Sequence, residues 1–427
     1  MTQLPPLLHL GVFLMMLSPS ICFNLETRVF KLFTDPYLND NGRESYFGFA
    51  IALQRGPDNT AWLMVGAPRA NSSNYKNEKI TEPGVLYKCN LQTLHCQELF
   101  IDQTGNTVSN NPSTWSIYQD LKNGGWLGGT LDAQPNFDSG RQATGVCAPR
   151  WINQHYVPDY FMNGACYWLN NSLTEDAHKK LPLLSFSKYT IYWTVLYFYA
   201  HGEAGLSLHF PDNPAEMIIG APGVFNWQGS VILMSDSTPS NPGEISRRRR
   251  RQSQIKESDM FDSSFVPNPY YTSVIEDFDL LGYAVTSGRF MSQDELLYVG
   301  GAPRGALSHG KVLIFSYPEY EYQSLNVKAE WQGTQLGEYF GAAVTAADIN
   351  GDGLSDLVVG SPMYALQDIP DVGRIQVFLS SKVIDWSIHG HWGSRPLLLG
   401  SSSMSAIAHI LIIAECPPAP SDRWVFN

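Results

Sequence analysis

Phe340-Gly341-Ala342-Ala343-Val344-Thr345-Ala346-Ala347-Asp348-Ile349-Asn350-Gly351-Asp352-Gly353-Leu354-Ser355-Asp356-Leu357-Val358-Val359-Gly360-Ser361-Pro362 decides the fold of this chain. An aromatic residue and a glycine open the stretch, an apolar run follows, an acidic loop interrupts it, and a second β run closes on Gly-Ser-Pro. Gly373-Arg374-Ile375-Gln376-Val377 then opens an alternating third strand. The same elements occur four more times upstream. The openings are Phe47-Gly48, Leu127-Gly128, Ala204-Gly205 and Leu281-Gly282. The closings are Val65-Gly66-Ala67-Pro68, Val146-Cys147-Ala148-Pro149, Ile219-Gly220-Ala221-Pro222 and Gly300-Gly301-Ala302-Pro303. Third strands begin at Gly84, Gly164, Gly229 and Gly310. A unit of this kind cannot bury both sheet faces alone, so copies must stack. Radial stacking into a β-propeller leaves few open edges, and the sequence predicts that all-β fold. The repeats fall near 23–100, 115–185, 189–236, 270–330 and 331–385. A sandwich merely punctuated by these glycines and prolines is the alternative, and five copies in register argue against it.

The composition agrees. Aromatic residues make up 12% of the 427 residues, and 36 Gly with 27 Pro suit short strands and tight turns. Charged residues are 16% and the formal net charge is -12, which leaves no general phosphate-binding surface and excludes a nucleic-acid partner. No G-x-S-x-G elbow and no H-E-x-x-H occurs, and the histidines are scattered, so the sequence does not read as an enzyme. A repeat region attached to a secreted phospholipase is the opposing enzymatic reading.

Residues 1–22 read as a secretory signal: Leu7 to Leu17 is apolar but too short to span a bilayer, and Ser20 and Cys22 are small residues before a cut at Phe23. An oxidising compartment then favours local pairing of Cys89 with Cys96 and of Cys147 with Cys166, which leaves Cys416 over. Asn71-Ser72-Ser73 and Asn170-Asn171-Ser172 are glycosylation acceptors in that compartment.

Asp348 to Asp356 carries the clearest chemistry. Asp348, Asn350, Asp352 and Asp356 offer side-chain oxygens at positions 1, 3, 5 and 9 of the loop, and Leu354 offers its backbone carbonyl at position 7. Three carboxylates and an amide around one turn favour Ca2+, against a solvated turn with no ion. It is not an EF-hand, because position 12 is Val359 rather than a bidentate Glu. Superposing Gly301 on Gly360 puts Arg289, Met291, Gln293 and Leu297 at the four side-chain positions, so the fourth repeat has lost its site and the sequence supports a single calcium.

The Phe-Gly to Gly-Ala-Pro pattern resembles the N-terminal β-propeller of integrin α subunits, of the invertebrate type without the inserted adhesion domain. Phe23-Asn24-Leu25-Glu26 is similar to that family's mature N-terminus and Cys147-Ala148-Pro149-Arg150-Trp151 to its second blade. The resemblance covers roughly residues 23–385. It implies seven blades, of which five are recognisable here, with Leu399-Gly400-Ser401 as the start of a sixth. It implies a structural calcium on the lower face at Asp348–Asp356, pairing with a β subunit, and an extracellular-matrix ligand met by loops of the upper face. In the third-blade stretch Tyr199-Ala200-His201-Gly202-Glu203-Ala204-Gly205 no Asp occurs, which points away from Arg-Gly-Asp ligands and leaves a laminin-like ligand as the alternative. Trp115, Tyr118 and Trp126 read first as buried blade packing, with the β-subunit contact as the alternative role.

Two stretches break the pattern. Residues 236–269 are a polar insertion between the third and fourth repeats, and its Arg247 to Arg251 offers a furin-like cut after Arg251 or else an exposed charged loop. Residues 386–427 diverge, and the family's stalk, membrane helix and tail are not in this sequence. The signal sequence points to the secretory pathway, and the resemblance implies the cell surface within a membrane-anchored complex. A secreted chain acting as a soluble decoy is the alternative.

Overall fold

The computed structural model describes residues 31–380, except 37–43, 56–59, 76–78, 112–115, 136–141, 157–158, 170–176, 184–187, 192–193, 236–263, 269–273, 319–324 and 367–368. The expected signal sequence, Asn170, Arg247 to Arg251, Cys22, Cys416 and the divergent tail lie outside the described residues. All sheets among the described residues lie in one compact unit, 33–415.

The fold is all-β, a β-propeller of repeated antiparallel blades. The first blade is a four-stranded antiparallel meander of β1 (Ala50–Arg55), β2 (Ala61–Ala67), β3 (Val85–Asn90) and β4 (Cys96–Leu99). The chain then runs through β5 (Thr107–Asn111), β6 (Ser116–Leu121), β7 (Thr130–Ala133), β8 (Thr144–Ala148), β9 (Ile152–Tyr156), β10 (Asp159–Phe161), β11 (Ala165–Leu169) and β12 (Ala177–Lys180). Of these, β7, β8, β11 and β12 form the second blade. The intervening strands make a separate sheet in the order β10-β9-β6-β5, and β13 (Lys188–Ile191) pairs with β14 (Thr194–Tyr197) as a hairpin. Neither was legible in the repeat pattern.

The third blade comprises β15 (Ser207–His209), β16 (Glu216–Ala221), β17 (Ser230–Ser235) and β18 (Ser264–Phe265). Leu233 and Met234 pair with Phe265 and Ser264, so the outermost strand of this blade lies within the stretch 236–269 that reads as an insertion. The end of that stretch therefore belongs to the third blade, and Phe265 stacks edge-on with Tyr317, centroids 5.9 Å apart. The fourth blade is β19 (Ala284–Gly288), β20 (Leu297–Ala302), β21 (Lys311–Ser316) and β22 (Asn326–Gln332), and the fifth is β23 (Ala343–Ala347), β24 (Asp356–Ser361) and β25 (Arg374–Phe378).

Backbone contacts between blades explain the repeated glycines. Leu127, Leu281 and Phe340, which precede the opening glycines, bridge in parallel to Gly84, Gly229 and Gly310 of the preceding repeat. A Cβ at Gly310 would stand 2.2 Å from the Phe340 carbonyl oxygen, and one at Gly301 would stand 2.0 Å from that of Gly341. Glycine is used because another backbone occupies the side-chain position. The apolar core lies between neighbouring sheets: Val312 and Ile314 of the fourth blade pack with Phe340, Leu357 and Val359 of the fifth, all nearly or fully buried. Trp331 covers this layer from β22 against Phe378, centroids 5.3 Å apart.

Candidate metal loop and binding face

Each inner strand has the blade's opening Phe-Gly type pair at one end and a loop to the second strand at the other. In the fifth blade that loop is Asp348–Asp356, between β23 and β24. Gly351 and Gly353 have φ of 77° and 85°, which lets nine residues reverse direction with alternate side chains turned inward. The carboxylates are held by the loop's own amides. Asp348 Oδ1 accepts from Gly351 N at 2.7 Å and Asp352 N at 3.1 Å, and its Oδ2 accepts from Gly353 N at 2.9 Å. Asn350 Oδ1 accepts from Asp352 N at 2.9 Å and Asp352 Oδ1 from Leu354 N at 2.8 Å. Asp356 is buried, and its two oxygens accept from Ile349 N at 2.9 Å and Ser380 N at 2.8 Å.

A carboxylate has about four lone-pair sites, so these bonds leave acceptor capacity on every one of the expected ligands. The donor set is entirely oxygen, and its chemistry fits a hard divalent cation. Among the described residues, no group of three or more acidic, histidine or cysteine side chains is drawn together as a metal cluster. The loop thus has the donors and the turn, with its carboxylates committed to backbone N–H groups.

In the fourth blade, the equivalent loop carries Arg289, whose Nη2 lies 2.9 Å from Asp212 Oδ2 of the third blade. Neighbouring blades are also latched at this end by His209, whose Nδ1 is 3.1 Å from Asp132 Oδ2 and whose Nε2 is 2.9 Å from Ser287 Oγ.

At the opposite end, the residue two before each opening glycine adopts a left-handed backbone: Tyr46, Trp126, Glu203, Leu280 and Tyr339 have φ between 50° and 66°. Bulky residues pay for that conformation, and such strain gathers where a surface is built for contact. Trp126 is half-buried, not a packed interior residue. Its ring meets Tyr46 at 5.9 Å and Phe49 at 5.7 Å, both edge-on, and the Arg150 guanidinium lies 5.5 Å from its centroid. Arg69 stands 5.1 Å over the Tyr46 ring. Burial pushes the Glu203 carboxyl up, with Arg150 opposing, and burial likewise pushes Tyr339 up against the pull of Arg304. Tyr46 and Phe49 were missed in the sequence, although their place beside the opening Gly48 was the available signal. Trp115 lies outside the described residues, as does the side chain of Tyr118.

The structure joins Cys89 to Cys96 across β3 and β4, and Cys147 to Cys166 across β8 and β11. In the second repeat Cys147 stands where the others have glycine, and Gly205 of the next repeat packs on the disulfide: a Cβ there would be 2.4 Å from Cys147 Cβ. Asn71 is exposed, with its Oδ1 accepting from Glu82 N at 2.8 Å.

A buried charge cluster was also missed. Lys179 Nζ lies 2.7 Å from Asp102 and 2.6 Å from Asp120, Lys122 Nζ lies 2.8 Å from Asp120, and Tyr167 donates to Asp102 at 2.8 Å. Burial pushes Asp102 up, but Lys179 and Lys122 together outweigh it and hold its pKa at about 2. Burial lowers Lys179 and the two aspartates more than reverse it, so its pKa is raised. Two positive and two negative groups balance, which makes this a structural node between sheets.

Comparison with known proteins follows the same lines. The FG-GAP repeat family matches residues 340–378. Integrin alpha-PS3 of Drosophila melanogaster is 33% identical over 393 residues, covering 86% of this chain and 34% of that protein. Integrin alpha-4 of Xenopus laevis is 28% identical over 375 residues, 87% of this chain and 31% of that one. Integrin alpha-8 of Gallus gallus is 28% identical over 443 residues, with 98% and 37% covered. The chain spans about a third of the length of the curated relatives it matches. Among the described residues, no helix is long and apolar enough to cross a membrane.

Proposed function

The chain belongs to the integrin α family as its N-terminal FG-GAP region, and from that premise we propose that it pairs with an integrin β subunit to bind an extracellular-matrix protein at the cell surface. The observation that carries this reading is the group of exposed Tyr46 and Phe49 with half-buried Trp126 at the blade openings, with Arg69 and Arg150 over the rings. Aromatic residues and arginine are the side chains that dominate protein interfaces, because each buries a large area with little entropy to lose. The half-buried Glu203 adds an acidic group at an equivalent position of the third blade.

At the other end we assign Asp348, Asn350, Asp352, the Leu354 carbonyl and Asp356 to a structural Ca2+. The ion would supply one positive centre that cross-links the two strands of the loop, and no chemistry beyond that. Asp356 would tie it to the core, since its buried carboxylate already holds Ile349 and Ser380.

The pairing is tested by binding of the full chain to an immobilised integrin β-subunit headpiece in calcium. The wild type is expected to bind, and Trp126→Ala to lose at least 2 kcal/mol, about thirtyfold in affinity, as for an interface anchor. Equal binding by the variant would refute the assignment of this face.

A further inference from the structure

In the fourth-blade loop Arg289, Met291, Gln293 and Leu297 stand at the four side-chain positions, none of them a carboxylate. Its residues contact the fifth-blade loop instead. Ser355 N donates to the Arg289 carbonyl at 2.9 Å, and Arg289 N donates to Ser355 Oγ at 3.0 Å. Gln293 Nε2 donates to the Gly353 carbonyl at 3.3 Å. Gly353 and Ser355 flank Leu354, whose carbonyl is the one backbone ligand assigned in the loop. The segment that presents this oxygen is therefore gripped on both sides by the neighbouring blade.

The two loops meet without slack. A Cβ at Gly353 would stand 2.3 Å from Gln293 Nε2, and one at Gly288 would stand 2.7 Å from Ser355 Cβ. A positive charge next to a cation site would oppose loading, but the Arg289 guanidinium is drawn aside by Asp212 of the third blade, 2.9 Å away.

We propose that the degenerate fourth-blade loop, residues 289–296, serves as the outer wall of the fifth-blade cation site, with Gln293 and Arg289 as positioning residues and Asp212 as the group that neutralises Arg289. Without carboxylates at these positions, the fourth-blade loop thus has a different task, that of fixing the fifth. Cation occupancy at Asp348–Asp356 is then coupled to the junction of the third and fourth blades, where no ligand lies. This rests on the calcium reading given above. Partners of ligands that fix their orientation typically change metal affinity by roughly 10–100-fold when removed.

The test uses the full chain, titrated with calcium by calorimetry and with terbium by luminescence, together with hydrogen exchange with and without calcium. Gln293→Ala and Asp212→Asn are expected to weaken calcium about tenfold, at the low end of that range. Glu295→Gln, on the same loop but paired to Lys328 at 3.6 Å, is expected to bind as the wild type. Calcium is expected to slow exchange in peptides from 289–296 as well as in those from 348–356. Calcium binding that Asp352→Ala abolishes while Gln293→Ala and Asp212→Asn leave it within twofold overturns the inference alone, as does protection confined to 348–356. Failure of the wild type to bind calcium overturns the calcium reading and this inference together.

Discussion

Gly48 and Gly310 have the same backbone conformation, φ of 89° at each, but different surroundings. Among the described residues a Cβ at Gly48 meets no atom within 4 Å, whereas at Gly310 it would lie 2.2 Å from the carbonyl oxygen of Phe340 and 2.7 Å from its nitrogen. Alanine at either position bears the left-handed cost of about 1–2 kcal/mol. At Gly310 it must also displace a backbone that bridges two blades, and overpacking of this kind costs about 1–3 kcal/mol more. Gly310→Ala should therefore destabilise by about 2–5 kcal/mol and Gly48→Ala by about 1–2 kcal/mol. Urea unfolding of the two variants, followed by tryptophan fluorescence, measures the difference directly, because the conformational term cancels between them. Equal losses would refute the argument that the repeat glycines exist to let adjacent blades touch.

Other consequences follow from the same contacts. Asp102 has its pKa lowered from 3.8 to about 2, so its contribution of roughly 2 kcal/mol is present above pH 4 and is lost as pH falls through 2. Melting temperature measured from pH 6 to pH 2 should fall more steeply for the wild type than for Asp102→Asn, and parallel curves would contradict the assignment. Replacing both Cys147 and Cys166 by Ser should cost about 2–4 kcal/mol, measured as a lower urea midpoint, since the bridge closes a loop and supports Gly205. Phe340→Ala should cost about 3–5 kcal/mol, because the ring is fully buried between the fourth and fifth blades. Calcium at a hundredfold its dissociation constant should stabilise the wild type by about 2.7 kcal/mol in thermal unfolding and leave Asp352→Ala unmoved.

The blades were legible because their signal is local and periodic: Phe340-Gly341, the alternation of β25 and the Gly-Ser-Pro close can each be read within a few residues. The acidic loop was legible for the same reason, its donors falling at odd positions of one nine-residue turn. What the sequence hid depends on residues that are distant along the chain. Asp102, Asp120, Lys122 and Lys179 meet only once β6 and β12, strands of different sheets, come together, and no spacing announces them. Ser264 and Phe265 join the third blade from the end of a polar stretch that looked like a boundary. The left-handed Tyr46 and Trp126 could have been found, since both sit two residues before an opening glycine, but backbone strain leaves no mark in composition. The role of Arg289 was half visible: the lost ligand could be read, while its hold on Ser355 could not.

The most direct test of the account is hydrogen exchange on the full chain, free and bound to an integrin β subunit. Protection on pairing is expected in peptides covering 44–49, 123–129 and 200–205, which carry Tyr46, Phe49, Trp126 and Glu203. Absence of a complex, or protection confined to the opposite end around Asp348–Asp356, would contradict it.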